Sequence, residues 1–137
     1  MKIYKGFIKN LPDNGIFVFG SNPQGRHGLG AALIARTKFG AKYGQGRGLQ
    51  GRSYAIVTKD LTKNRHPSVP TKDIKDEIKQ LYEFAKSNPQ LDFYVAYAGK
   101  GKYLSGFTPQ QMANLFNCAE IPDNMVFEEE FMKLIKS

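Results

Sequence analysis

Apolar residues gather into short runs along the chain, separated by stretches rich in glycine and charge. Five runs read as strands, over residues 2–4, 16–19, 54–57, 93–98 and 125–127. Several are continuously apolar rather than alternating, the pattern of strands buried on both faces of a mainly parallel sheet. Between them the period becomes helical. Ile74, Ile78, Leu81, Tyr82 and Ala85 form one apolar stripe and predict an amphipathic helix over 71–87, with Lys72, Lys75, Asp76, Lys79 and Glu83 on its solvated face. A second helix starts at Thr108-Pro109-Gln110-Gln111. Thr108 caps it, Pro109 suits its first position, Gln111 completes a capping box, and Met112, Leu115 and Phe116 face inward. Residues 29–39 predict a third helix, apolar on most of its circumference, packed against the sheet. Residues 128–136 predict a short closing helix with Phe131, Leu134 and Ile135 inward. Strand–helix alternation implies an α/β sandwich.

The 137 residues suit one domain, 1–137, with no repeat or linker to divide them. One cysteine, Cys118, excludes an internal disulfide framework and a zinc site built from several thiolates. With only His27 and His66 besides, no metal and no cofactor is expected. No apolar stretch reaches the roughly 18 residues of a membrane span. The first ten residues lack the apolar core of a signal peptide, so a cytoplasmic protein with no membrane partner is expected. The net charge of +8 is unevenly placed. Residues 1–65 hold 12 Lys+Arg against two acids, Asp13 and Asp60, whereas 66–137 hold 8 against 10. A basic half attracts nucleic acid, nucleotide phosphate or an acidic surface.

Glycines concentrate in three stretches. The first, Gly20-Ser21-Asn22-Pro23-Gln24-Gly25-Arg26-His27-Gly28-Leu29-Gly30, follows the strand over 16–19. The second, Gly44-Gln45-Gly46-Arg47-Gly48-Leu49-Gln50-Gly51, precedes the strand over 54–57. The third, Gly99-Lys100-Gly101-Lys102-Tyr103-Leu104-Ser105-Gly106, lies between the strand over 93–98 and the helix capped by Thr108. Loops at the carboxyl ends of parallel strands form the ligand crevice of an open α/β sheet. Glycine lets backbone N–H groups approach a phosphate, and a following helix N-terminus adds partial positive charge. Two basic loops of this kind suit a diphosphate. Standard phosphate motifs do not fit. Gly20-x4-Gly25-Arg26-His27 has Arg and His where a P-loop needs Lys and Ser or Thr, and Gly46-x-Gly48-x-x-Gly51 precedes a strand and opens no helix.

Residues 13–60 read DNGIFVFGSNPQGRHGLGAALIARTKFGAKYGQGRGLQGRSYAIVTKD. This stretch resembles a family of small bacterial and phage proteins with a macro-domain-like fold, in which FGSN-x-x-GRHG-x-GAA is followed by YGQG-x-GLQG-x-SYAI-x-TKD. The likeness continues more loosely through residues 99–116. It implies a three-layer sandwich, a mixed, mainly parallel sheet with helices on both faces. Macro domains bind ADP-ribose or related nucleotides, and some hydrolyse ADP-ribosyl linkages. The resemblance implies Asn22 near the distal ribose, and Gly25, Gly28 and Gly30 around ribose and diphosphate, in a loop that also holds Gly20, Ser21, Arg26 and His27. It implies a second diphosphate loop from Gly99, Gly101, Ser105, Gly106 and Phe107, with Phe107 beside a ribose.

An ADP-ribosyl hydrolase commonly needs a group that activates water. Between Asp13 and Asp60 there is no acid. Asp60 is therefore one candidate base, with loop capping as its simpler role, and His27 is the other, with orientation of an anion as the alternative. A substrate-assisted mechanism would leave no mark in the sequence. Cys118 reads as a small buried group. Tyr97, Tyr103 and Phe107 are candidates to stack on a base, and residues 59–67 form a basic connection. Three functions follow: a module that binds ADP-ribose or a related nucleotide, a hydrolase that removes ADP-ribose from protein, nucleic acid or a metabolite, and a basic nucleic-acid binder. The third expects an aromatic platform or a basic recognition helix, and the sequence displays neither clearly.

Overall fold

The computed structural model describes residues 2–99 and 101–136; Met1, Ser137 and Lys100 of the third glycine stretch lie outside the described residues. In chain order the elements are β1 (Lys2–Tyr4), β2 (Gly15–Ser21), α1 (Gly30–Lys38), β3 (Gly48–Gln50), β4 (Ser53–Val57), α2 (Thr71–Ser87), β5 (Asp92–Val95), α3 (Pro109–Phe116), β6 (Met125–Glu128) and α4 (Glu129–Lys136). They build one α/β unit around a six-stranded sheet of order β1-β6-β5-β2-β4-β3. All neighbouring pairs are parallel except β3–β4, which makes the sheet mixed and mostly parallel.

The continuous apolar runs have the expected cause. Along β2, Ile16 and Val18 enter one core and Phe17 and Phe19 the other, so consecutive side chains are buried on opposite faces. The two faces are unequal. The larger core joins β2, β4, β5 and β6 to α2, α3 and α4, while α1, with Ile8 and Leu11 of the segment before β2, covers the Phe17–Phe19 side. The stripe Ile74, Ile78, Leu81, Tyr82 and Ala85 is buried throughout α2, and each large aliphatic there contributes about 2 kcal/mol by leaving water. The Tyr82 hydroxyl donates to the Phe116 carbonyl at 2.6 Å and so fastens α2 to α3. The predicted capping box closes α3: Thr108 Oγ1 accepts from the Gln111 N–H, and the Gln111 side chain accepts from the Thr108 N–H.

Several elements differ from the sequence reading. The edge strand β3 was not expected, since it spans three residues and Leu49 in it is exposed. β5 ends at Val95. Ala96 adds one last bond to the Val18 carbonyl, and the chain then leaves the ladder. α4 begins at Glu129 because Glu128 closes β6; Phe131 and Ile135 are buried and Leu134 packs half-buried against the same core as expected, with Met132 buried in addition. The largest correction concerns α1. It buries only Ala32 and Ala35, leaving Leu29 at its start and Ile34 exposed. The aromatic rings of Phe17, Phe19 and Phe39 fill the space beneath it, so small residues are what fit.

Strand order also fixes where a crevice opens. From β2 the chain passes to the β4 side of the sheet, and from β5 it passes to the β6 side. The loops after β2 and β5 therefore diverge from adjacent strands, which is the switch point where open α/β sheets hold ligands.

Candidate functional site

Three loops meet at the carboxyl edge of the sheet: residues 22–29 after β2, 58–70 after β4 and 96–108 after β5. Each is fastened by contacts specific to its residues. Asn22 is buried, with its Oδ1 accepting from the Arg26 N–H at 2.9 Å and its Nδ2 donating to the Arg26 carbonyl at 3.0 Å. Gly25 adopts φ +67°, and a Cβ there would overlap the Gly44 carbonyl carbon. The Gly44 N–H donates to the Gly25 carbonyl at 2.8 Å, and Gly46 lies against the Asn22 carbonyl, so the first two glycine stretches pack backbone on backbone. The Gln24 amide donates to Asp60 Oδ1 at 3.2 Å and accepts from the Leu61 N–H at 3.3 Å. A Cβ on Gly106 would fall 2.6 Å from the His66–Pro67 peptide, which brings the third loop against the second.

These contacts divide the candidate residues. Gly25, Asn22 and Gly106 hold loops together, and Gly20 sits under the Thr58 hydroxyl. Phe107, expected beside a ribose, is buried and packs in the larger core. Ser21 and His27 are also fully buried, paired at 3.2 Å between Ser21 Oγ and His27 Nε2, with the imidazole edge-on to Phe19. His27 Nδ1 has no hydrogen bond of good geometry. Burial pushes the imidazole pKa below its ordinary value and the Arg36 charge adds to this, while the Gln45 backbone opposes it. Asp60 acts as a turn cap: its Oδ1 accepts from the Thr62 N–H at 2.9 Å and the Thr62 hydroxyl at 2.7 Å. These bonds hold its carboxyl below the usual range. Of the candidates, Gly20, Arg26, Gly28, Gly30 and Gly101 are exposed and Gly99 is half-buried.

At the switch point lies a cavity of about 30 Å³ lined by Gly20, Ala96, Tyr103 and Ser105, with Thr58 and Met112 at its sides. Ser105 is buried and, among the described residues, its hydroxyl has no hydrogen-bond partner. Nearby, α1 begins without a side-chain cap, since Leu29 occupies that position, and its first turn has no acid. Its first amides are thus left for an acceptor from outside the helix. Leu104, itself exposed, lies across this helix start, with its Cδ1 3.0 Å from where a Cβ on Gly30 would be.

A roomier groove of about 400 Å³ lies elsewhere, between α2 and the loop after β4, with Asp60, Asp73, Asp76 and Glu77 along it. Glu77 is engaged there, accepting from the Val57 N–H at 2.8 Å and from Arg47 at 3.0 Å. Sequence reading missed two acids at the carboxyl edge, Glu77 and Glu128. Glu128 Oε1 accepts from the Glu130 and Phe131 N–H groups and caps α4. The signal for Glu128 was an acid at a strand–helix junction. Cys118 is half-buried, and burial pushes its thiol pKa up, against reactivity. Among the described residues no three His, Cys, Asp or Glu side chains gather where they could hold a metal ion. No family model, curated protein or solved structure matches the chain.

Proposed function

We propose that the protein binds ADP-ribose, or a nucleotide derived from it, at the switch point between β2 and β5. The observation that carries this reading is the meeting there of two independent diphosphate donors. One is the uncapped start of α1 beside the open Gly28 and Gly30, and the other is the loop bearing Gly99, Gly101 and the unpartnered Ser105 hydroxyl. Helix starts and glycine-rich turns bind phosphate through their amides. The macro-domain-like sequence of residues 13–60 supports the same ligand. Because the cavity holds little more than a water, the nucleotide displaces Leu104 from the start of α1 as it enters.

The reading is binding without turnover. Water activation needs a base within reach of the reacting carbon. The residues lining the cavity include no carboxylate and no imidazole, His27 is buried behind Ser21, and Asp60 is occupied in its turn. Calorimetric titration with ADP-ribose at near-physiological salt tests it. The expected result is a Kd of about 1 μM or tighter, near −8 kcal/mol. Gly28→Val, at a position with nothing within 4 Å, keeps the fold and weakens binding at least tenfold. No heat of binding with the wild-type chain would overturn the reading, and release of free ADP-ribose from a modified protein would overturn the absence of turnover.

A further inference from the structure

We infer that the outer face of α1, with the turn that follows it, is a docking surface for single-stranded nucleic acid. This goes beyond the crevice reading and does not depend on it. Residues 14–59 contain no Asp or Glu, and this stretch supplies the whole of α1 and both of its flanks. Arg26, Arg36, Lys38 and Lys42 are all exposed, and among the described residues none of them forms an ion pair. They are also close together. After α1 the chain turns back through the Ala41 N–H bond to the Ala35 carbonyl, and the Gly44–Gly25 bond then sets residues 42–45 beside the loop that carries Arg26.

An aromatic ring is exposed among these cations. Tyr43 is 61% exposed, and the Arg36 guanidinium lies over its ring at 5.7 Å from the centroid. An exposed aromatic costs apolar hydration, and one held by an arginine is pre-oriented. Its free face can stack a nucleobase while the surrounding cations meet successive phosphates, the two components of sequence-tolerant single-strand binding. An acidic peptide would use the cations but would have no need of the ring, which is why nucleic acid is the favoured partner. The aromatic platform that the sequence did not display is thus Tyr43, which the fold brings to the basic face.

Fluorescence anisotropy with a labelled oligonucleotide of about 10 nucleotides tests the surface. Binding is expected at low salt, with log K falling by about 0.7 per phosphate contacted for each unit of log salt. Tyr43→Ala should weaken it about tenfold, and Arg36→Glu with Lys42→Glu should abolish it, with unchanged melting temperatures because all three side chains are exposed. Two results would overturn the inference. One is no anisotropy change at about 50 mM salt, where phosphate contacts are strong. The other is equal binding of poly-glutamate with no effect of Tyr43→Ala, which would make the face a general polyanion site. ADP-ribose titration of the same variants separates this surface from the crevice, since loss of one should leave the other intact.

Discussion

Two glycines three residues apart answer different demands. Gly25 has φ +67° and no room for a Cβ beside Gly44, whereas Gly28 has open space around it. Gly25→Ala should therefore lower stability by about 2–4 kcal/mol, from left-handed strain and a backbone clash, and Gly28→Ala should leave the melting temperature unchanged. A melt of the two single variants checks both outcomes. His27 makes a second prediction at this scale. Its folded pKa is depressed by burial from 6.5, so the unfolded chain binds the proton more readily. Stability is full above pH 6.5 and is lost as pH falls from there through the folded pKa. Melting temperatures across pH 5–8 should show this slope, and His27→Gln should flatten it. The stability Asp60 supplies is fully present above its ordinary 3.8 and is lost only as pH falls below that value, so the two effects separate on the pH axis.

The chief tie between elements is Asn124, in the turn before β6. Its amide nitrogen donates to the carbonyls of Ala85, Asn88 and Leu91, gathering the end of α2 and the approach to β5 around one buried group. Asn124→Ala removes these bonds, leaving the Ala85 and Asn88 carbonyls with only the Asn88 and Leu91 N–H groups as donors, and should cost about 1–3 kcal/mol, read as a shift in the urea midpoint with unchanged slope. Thr108→Ala should cost about 1 kcal/mol by opening the α3 capping box. Such local signals made much of the fold legible in the sequence. The α2 stripe and the α3 box are periodic or punctuated, and β2 and β4 are unbroken apolar runs. β3 was hidden because pairing with β4 makes it a strand, not its own three residues. The burial of Phe107 was hidden for a related reason: a ring beside a glycine loop can be exposed or buried, and the packing of α2 and α3 buries it. Glycine spacing marked the loops after β2 and β5, but it carried no sign that Gly25 and Gly44 were there for each other.

Across the whole molecule, charge is sorted by the sheet. α1 and the stretch 14–59 around it carry no acid, while α2 on the opposite side mixes Lys72, Lys75, Lys79 and Lys86 with Asp73, Asp76, Glu77 and Glu83. No helix among the described residues is long and apolar enough to cross a membrane. The two proposed ligands should then differ in their response to ionic strength. Affinity for ADP-ribose, a small diphosphate held by backbone amides, should change little between 50 and 200 mM salt, and oligonucleotide affinity should fall steeply, by roughly tenfold or more. Parallel titrations at the two salts check this. The same segregation gives the protein a positive pole and a nearly neutral one, so a negatively charged sensor chip or exchange resin will take it up in one orientation, with α1 against the matrix. Experiments on tethered protein would then find Arg36 and Tyr43 already covered, while free solution would leave that pole available.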